Sequence, residues 1–94
     1  MKIIWSRRAI ANLAALREYI AQENPKVAAA VAARILQAVG LLALYPHIGR
    51  PGRTTGVREL VVSGTPFIVP YRVRARRIEI VAIFHGRQKW PESL

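Results

Sequence analysis

Hydrophobic residues in the first half of the chain recur at the spacing of two amphipathic helices. A short apolar run at Lys2–Trp5 predicts a strand, and Ser6 supplies the N-cap hydroxyl of a helix over about residues 7–21. Asn24-Pro25 then starts a second helix, because asparagine caps a helix and proline fits its first position. This helix is expected to end near Leu44, since the tyrosine-proline pair after it cannot continue a helix. The short connection folds the two helices into a hairpin.

The second half of the chain has the two-residue alternation of strands. Residues 46–56 carry two prolines and three glycines, which predicts an irregular loop. Strands are predicted over residues 57–62, 67–74 and 77–85, joined by short turns into a meander. Pro70 cannot donate a hydrogen bond to a sheet, so we expect a bulge or a missing neighbour at that point.

These elements predict one domain over residues 1–94, of class α+β. The expected sheet contains an N-terminal strand and a three-stranded antiparallel meander, with the helices on one face and the other face open to water or a partner. Because each predicted connection reverses the chain, the last strand is expected to pair antiparallel with the first. Residues 27–45 are apolar enough to suggest a membrane span. However, a central arginine, Arg34, would cost about 2.5–3.5 kcal/mol there, so we expect a covered helix and no membrane association.

The chain carries a large excess of positive charge, which favours acidic or phosphate-bearing partners. The chain has 15 lysines and arginines against 5 acidic residues, a formal net charge of +10. Such a surface attracts an acidic protein, nucleic acid or a phosphate-bearing molecule, and charge alone does not choose among them. The absence of cysteine excludes disulfides, thiolate metal sites and cysteine nucleophiles, which suits a cytoplasmic protein. With two histidines and no clustered carboxylates, neither a metal nor a cofactor is expected.

Segments along the whole chain resemble, in the same order, toxins of the ParE type. They are WS (5–6), Ala9, Leu13, YIA (19–21), NP (24–25), LYPHIGR (44–50), GR (52–53), GVRELV (56–61), TPFIV (65–69), YRV (71–73), IEI (78–80) and HGRQKWP (85–91). The chain is thus identified as similar to ParE-like members of the RelE/ParE superfamily, the toxins of type II toxin–antitoxin systems. The resemblance implies the RelE-like fold, a cognate ParD-like antitoxin and inhibition of DNA gyrase by binding.

A ribosome-dependent endoribonuclease of the RelE or YoeB type is the first alternative. Cutting mRNA requires a base, a proton donor and cations on the developing phosphorane. The candidates are His85 and Glu59 for proton transfer and Arg58 and Arg72, with Arg74 and Arg87, for charge. The resemblance to YoeB-like ribonucleases fails at Phe67, where those enzymes carry an arginine, and at Gly86, where they carry an aromatic hydroxyl. We therefore expect no catalytic centre.

A toxin that acts by binding needs only complementary surfaces. Arg72 and Arg74 share one face of a predicted strand, and Arg58 on the neighbouring strand is expected to join them in a strip that binds the acidic segment of the antitoxin.

The residues predicted to contact the target are His85, Arg87, Lys89 and Trp90. A hydrogen-bonded structural role for His85 and an anchoring role for Trp90 are the simpler alternatives. A nontoxic basic binding module is the third functional class, and direct nucleic-acid binding is a secondary expectation.

Overall fold

The computed structural model describes residues 1–91 and 94, and its elements follow the predicted α+β order. The elements are β1 (Lys2–Trp5), α1 (Arg7–Ala21), α2 (Pro25–Gly40), a 3₁₀ turn (Leu41–Ala43), β2 (Arg50–Pro51), β3 (Arg58–Val61), β4 (Phe67–Arg74), β5 (Arg77–Ile80) and β6 (Phe84–His85). Both predicted helices are therefore present, and the sheet has more strands than the four expected.

The helices begin at the predicted caps. The hydroxyl of Ser6 accepts a hydrogen bond from the backbone N–H of Ala9 at 3.0 Å. The side chain of Asn24 accepts from the N–H of Val27 at 3.2 Å, with proline at the first helical position. The α-helical part of α2 ends at Gly40, before the predicted end, and the chain continues as the 3₁₀ turn. Glycine is a poor helix former, which accounts for the earlier end.

The strand order is β1-β5-β4-β3-β2, with β6 pairing with β4. β1 and β5 are parallel, with Lys2 opposite Arg77 and Trp5 opposite Ile80. The expectation of antiparallel pairing between the first and last strands was wrong. The reason is β2, which the sequence did not predict. It pairs antiparallel with β3 and adds one reversal to the path, so every later strand runs opposite to its predicted direction relative to β1.

The strand predicted over residues 77–85 is broken by a bulge. Tyr71 pairs with Ile80 and Ile68 pairs with Phe84, so two residues of β4 lie opposite the three residues 81–83. Pro70 is one of these two, and its carbonyl accepts from the N–H of Val81 at 2.9 Å. The irregularity expected at this proline is confirmed.

The first helix satisfies backbone groups in the bulge. The hydroxyl of Ser6 donates to the carbonyl of Val81 at 2.7 Å, and the side chain of Asn12 accepts from the N–H of Ile83 at 3.0 Å. The bulge is therefore fixed against α1.

The core lies between the helical hairpin and one face of the sheet. Its fully or nearly fully buried members are Ala9, Ile35, Val39, Leu42, Leu60, Val62, Val69, Tyr71, Ile78, Ile80 and Ile83. Residues 25–43 are long and apolar enough to cross a membrane by length and composition. In this fold the same segment supplies Ile35, Val39 and Leu42 to the core, while Val27, Leu36 and Leu41 stay exposed.

Candidate functional site

Tyr71 holds the loop of residues 46–56 from the helix-covered face of the sheet. Its hydroxyl donates to the carbonyl of Pro46 at 2.9 Å and accepts from the N–H of Gly49 at 2.9 Å. Tyr71 is fully buried, and a side chain at Gly49 would collide with its ring and hydroxyl. The loop is therefore fixed at close range to β4, in a place where only glycine fits.

Glu59 holds the same loop from the open face of the sheet. Its side chain is only 3% exposed, and it accepts two hydrogen bonds from the guanidinium of Arg50, at 3.0 and 3.2 Å. It also accepts from the backbone N–H of Arg53 at 3.0 Å. A carboxylate with this many donors acts as a structural anchor, because its lone pairs are already engaged.

Arg58 does not lie on the face predicted for it. It is directly opposite Tyr71 in the antiparallel pairing of β3 with β4, so it shares the helix-covered face and not the face of Arg72 and Arg74. Its Nε donates to the carbonyl of Gly49 at 2.9 Å, and its Nη2 donates to the carbonyl of His47 at 3.0 Å. The prediction that Arg58 belongs to a three-arginine strip was therefore wrong. Alternation along two strands is not enough to fix the register between them.

Arg72 and Arg74 do share the open face, since they occupy alternate positions of β4. Arg74 forms an ion pair with Glu79 at 3.2 Å, and the same carboxylate binds Arg77 at 2.9 Å. Arg72 donates to a main-chain oxygen of Leu94 at 2.5 Å. The C-terminal residue of the chain thus lies on the strip that was predicted for the antitoxin.

The predicted target-binding residues do not form one surface. His85 lies edge-on to Phe67, with ring centroids 5.7 Å apart, on the helix-covered side of β6. The ring of Trp90 lies on the other side of β6, and its indole N–H donates to the main-chain carbonyl of His85 at 3.5 Å. The same ring packs on Phe84 with a centroid distance of 4.8 Å, and the guanidinium of Arg53 sits 4.0 Å from the ring centroid of Trp90. The geometry matches the anchoring interpretation of Trp90.

Arg87 and Lys89, between these two aromatic contacts, are exposed. The backbone N–H of Arg87 donates to Nδ1 of His85 at 3.1 Å, which fixes the turn that carries both cations. Of the four predicted target contacts, these two are the ones whose charge faces solvent.

A large apolar groove lies between the helical hairpin and the part of the sheet where β4 begins beside β6. Its volume is about 650 Å³, and it is lined mainly by Leu16, Tyr19, Ile20, Val27, Val31, Phe67 and Ile83, with Asn12, His85 and Gln88 as polar members. Tyr19 is 76% exposed and Val27 is 45% exposed. This groove was not predicted from the sequence. Tyr19 lies beside the core stripe of α1, and an aromatic residue at that position was the available signal.

The candidate catalytic side chains do not converge. His85, Arg58 and Arg72 line three separate cavities, and Glu59 is saturated by arginine and backbone donors. Among the described residues that line the groove at His85, none is an arginine or a carboxylate. This lining therefore places no guanidinium beside His85 for the phosphorane charge, although Tyr19 lines the same groove.

Known proteins similar to this chain are toxins. Residues 3–90 match the family model described as the ParE toxin of the type II toxin–antitoxin system parDE. A putative toxin, Y4kP, of Sinorhizobium fredii is 45% identical over 99% of this chain and 96% of its own length. Toxin RelE2 of Caulobacter vibrioides is 40% identical over 90% of this chain and 94% of its own length.

A solved structure supports the same assignment. A chain from the chromosomal ParDE toxin–antitoxin system of P. aeruginosa superposes with a TM-score of 0.81 at 32% identity, covering 90% of this chain and 95% of that one. The family match, the two relatives and the fold agree over nearly the whole length. This chain belongs to the ParE toxin family of type II toxin–antitoxin systems.

Proposed function

We propose that this toxin acts in the cytoplasm by binding and inhibiting DNA gyrase, and that a cognate ParD-like antitoxin neutralises it. The observation that carries the proposal is the dispersal of His85, Glu59, Arg58 and Arg72, together with membership of the ParE family. Among the described residues these four candidates lie apart, and such a chain of this superfamily is suited to inhibition by binding. Such inhibition requires complementary contact and no bond cleavage.

Two surfaces suit an antitoxin with an acidic and partly apolar binding segment. Arg72 and Arg74 offer positive charge on the open face. In this structure Arg72 donates a hydrogen bond to Leu94. The groove beside Tyr19 and Val27 offers apolar surface that a partner would remove from water. A disordered acidic segment that folds on binding can reach both, because such segments wrap large surfaces.

Arg87 and Lys89 are the proposed contacts to the target. They are exposed on a turn at the end of the sheet, close to the polar end of the groove formed by His85 and Gln88. Exposed cations on a fixed turn suit recognition of an acidic surface, because little ordering is required on binding.

The test compares two activities of the purified toxin. We expect inhibition of plasmid supercoiling by gyrase, relief of that inhibition by added antitoxin, and no cleavage of mRNA on ribosomes. A double variant Arg87→Ala/Lys89→Ala should weaken inhibition by about tenfold or more, since each exposed contact at an interface centre contributes on the order of 1 kcal/mol. Arg7→Ala/Arg8→Ala is the matched control, because it removes two exposed cations at the start of α1.

Cleavage of mRNA with unchanged supercoiling would overturn the proposal in favour of the endoribonuclease. Induced expression in cells gives a second measurement. A DNA-damage response with continuing protein synthesis is expected, and arrest of translation without DNA damage would contradict it.

A further inference from the structure

A polar cavity lies at the end of the sheet where β3 begins and β4 ends, separate from the groove at His85. Its volume is about 330 Å³, and its lining residues are His47, Pro51, Gly52, Thr54, Thr55, Gly56, Val57, Arg58 and Val73. The proposed contacts to antitoxin and gyrase use none of these residues. Of the described residues in the lining, none is acidic.

Arg58 gives this cavity a positive charge that no carboxylate neutralises among residues 1–91 and 94. Arg50, Arg53, Arg74 and Arg77 each form an ion pair with a glutamate, at 3.0, 3.8, 3.2 and 2.9 Å. Arg58 instead donates to two backbone carbonyls, those of Gly49 and His47. These contacts fix the guanidinium in place and leave its full charge available to an anion.

The donors that remain are suited to a tetrahedral anion. A guanidinium has five N–H donors, and two of those on Arg58 are occupied, so its Nη1 group and one N–H of Nη2 are free for a ligand. Thr54, Thr55 and His47 add two hydroxyls and an imidazole to the same lining. A phosphate group accepts from several directions at once, whereas a carboxylate has two oxygens in one plane.

The surroundings favour an anion as well. Arg72, Arg74, Arg76 and Arg77 lie in the last part of β4 and the turn into β5, at the same end of the sheet. Glu79 is the acidic residue paired among them. Clustered cations of this kind raise the local concentration of anionic ligands before contact is made.

We propose that this cavity is a phosphate-binding site, with Arg58 as its fixed cation and Thr54 and Thr55 as hydroxyl donors. The ligand class is a phosphate group, carried either by a nucleic-acid backbone or by a small phosphorylated molecule. The proposed phosphate site would be present whether or not gyrase is the target of the toxin.

The test is an NMR titration of the purified chain with inorganic phosphate, against sodium chloride at equal ionic strength. We expect saturable shifts at the amides of residues 54–56 and at the Nη protons of Arg58. Arg58→Gln should weaken binding by about tenfold or more, because a charge-assisted hydrogen bond is lost. Arg76→Gln removes the same charge from the neighbouring turn and should change affinity by less than about twofold.

Arg58 also holds the loop, so a second variant keeps the test decisive. Thr54→Val/Thr55→Val removes both hydroxyls and leaves the backbone bonds of Gly49 and His47 to Arg58 in place, and it should weaken phosphate binding by about fivefold. Equal losses for Arg58→Gln and Arg76→Gln, or shifts that never saturate, would overturn the site.

Two further ligands identify the source of the phosphate. A short single-stranded oligonucleotide that shifts the same amides indicates a nucleic-acid backbone, and inorganic phosphate without oligonucleotide binding indicates a small phosphorylated molecule. Either result supports the site. Binding of a glutamate-rich peptide there without binding of phosphate would refute it and assign the cavity to an acidic protein.

Discussion

The two faces of the sheet hold one loop by different chemistry. On the helix-covered face, the neutral hydroxyl of Tyr71 binds Pro46 and Gly49 inside the apolar core. On the open face, the carboxylate of Glu59 binds Arg50 and the backbone of Arg53. The open face therefore uses much of its charge internally, while the helix-covered face leaves apolar surface exposed in the groove. The count of 15 lysines and arginines therefore overstates how many cations are free to contact a partner, because Arg50, Arg53, Arg74 and Arg77 pair with glutamates.

Removing the charged anchor should have the largest effect on stability. Glu59→Ala is expected to lower the free energy of unfolding by about 3 kcal/mol, because several charge-assisted hydrogen bonds are lost together and the N–H of Arg53 loses its partner. Urea denaturation measures the change. Glu23→Ala, at an exposed position, is the control and should cost less than about 0.5 kcal/mol. A loss below about 1 kcal/mol for Glu59→Ala would show that the open face does not anchor the loop.

Removing the neutral anchor should cost less. Tyr71→Phe keeps the ring packed and deletes one hydroxyl, so we expect a loss of about 1.5 kcal/mol, mainly from the buried N–H of Gly49. The double variant with Glu59→Ala should deviate from additivity by at least about 0.5 kcal/mol, since both residues hold the same loop. Strict additivity would mean that the two faces act independently. Tyr45→Phe, at an exposed tyrosine, is the control.

The two faces of the sheet also differ in what they offer to the antitoxin. Arg72→Glu should weaken antitoxin binding at least about tenfold, or about 1.4 kcal/mol, because the acidic segment would meet a like charge. Arg17→Glu makes the same charge change on an exposed position of α1 and should alter affinity little. Isothermal titration calorimetry of the toxin with its antitoxin measures both.

Binding of the antitoxin through the apolar groove alone would contradict this prediction. If Arg72→Glu leaves affinity unchanged and Tyr19→Ala lowers it, the antitoxin uses the apolar side and not the arginines. Leu44→Ala is the control for Tyr19→Ala, because the two side chains are 74% and 76% exposed and Leu44 does not line the groove.

Local chemistry was predictable from the sequence, and long-range pairing was not. Single residues and their close neighbours determine the caps at Ser6 and Asn24 and the bulge at Pro70. The structure confirms all three. The two-residue strand β2 is too short to show alternation, and missing it reversed the predicted direction of β5 relative to β1.

The same limit explains the errors in the candidate sites. The face occupied by Arg58 depends on the register of β3 with β4, which no local pattern records. The placement of the His85 and Trp90 rings on opposite sides of β6 depends on the turn that follows β6 and on the contact of Trp90 with Phe84. Residue types suggested which chemistry to consider, but which residues meet was decided by tertiary packing.

The parallel pairing of β1 with β5 also has a consequence for how the toxin is made. As the chain grows on the ribosome, the opening strand has no strand to pair with until residues 77–80 have emerged, because it pairs with β5. Contacts so distant in sequence form late and slow the assembly of a fold. A nascent chain can therefore form its helical hairpin early, while the sheet that carries the end of the groove is completed only near the end of synthesis.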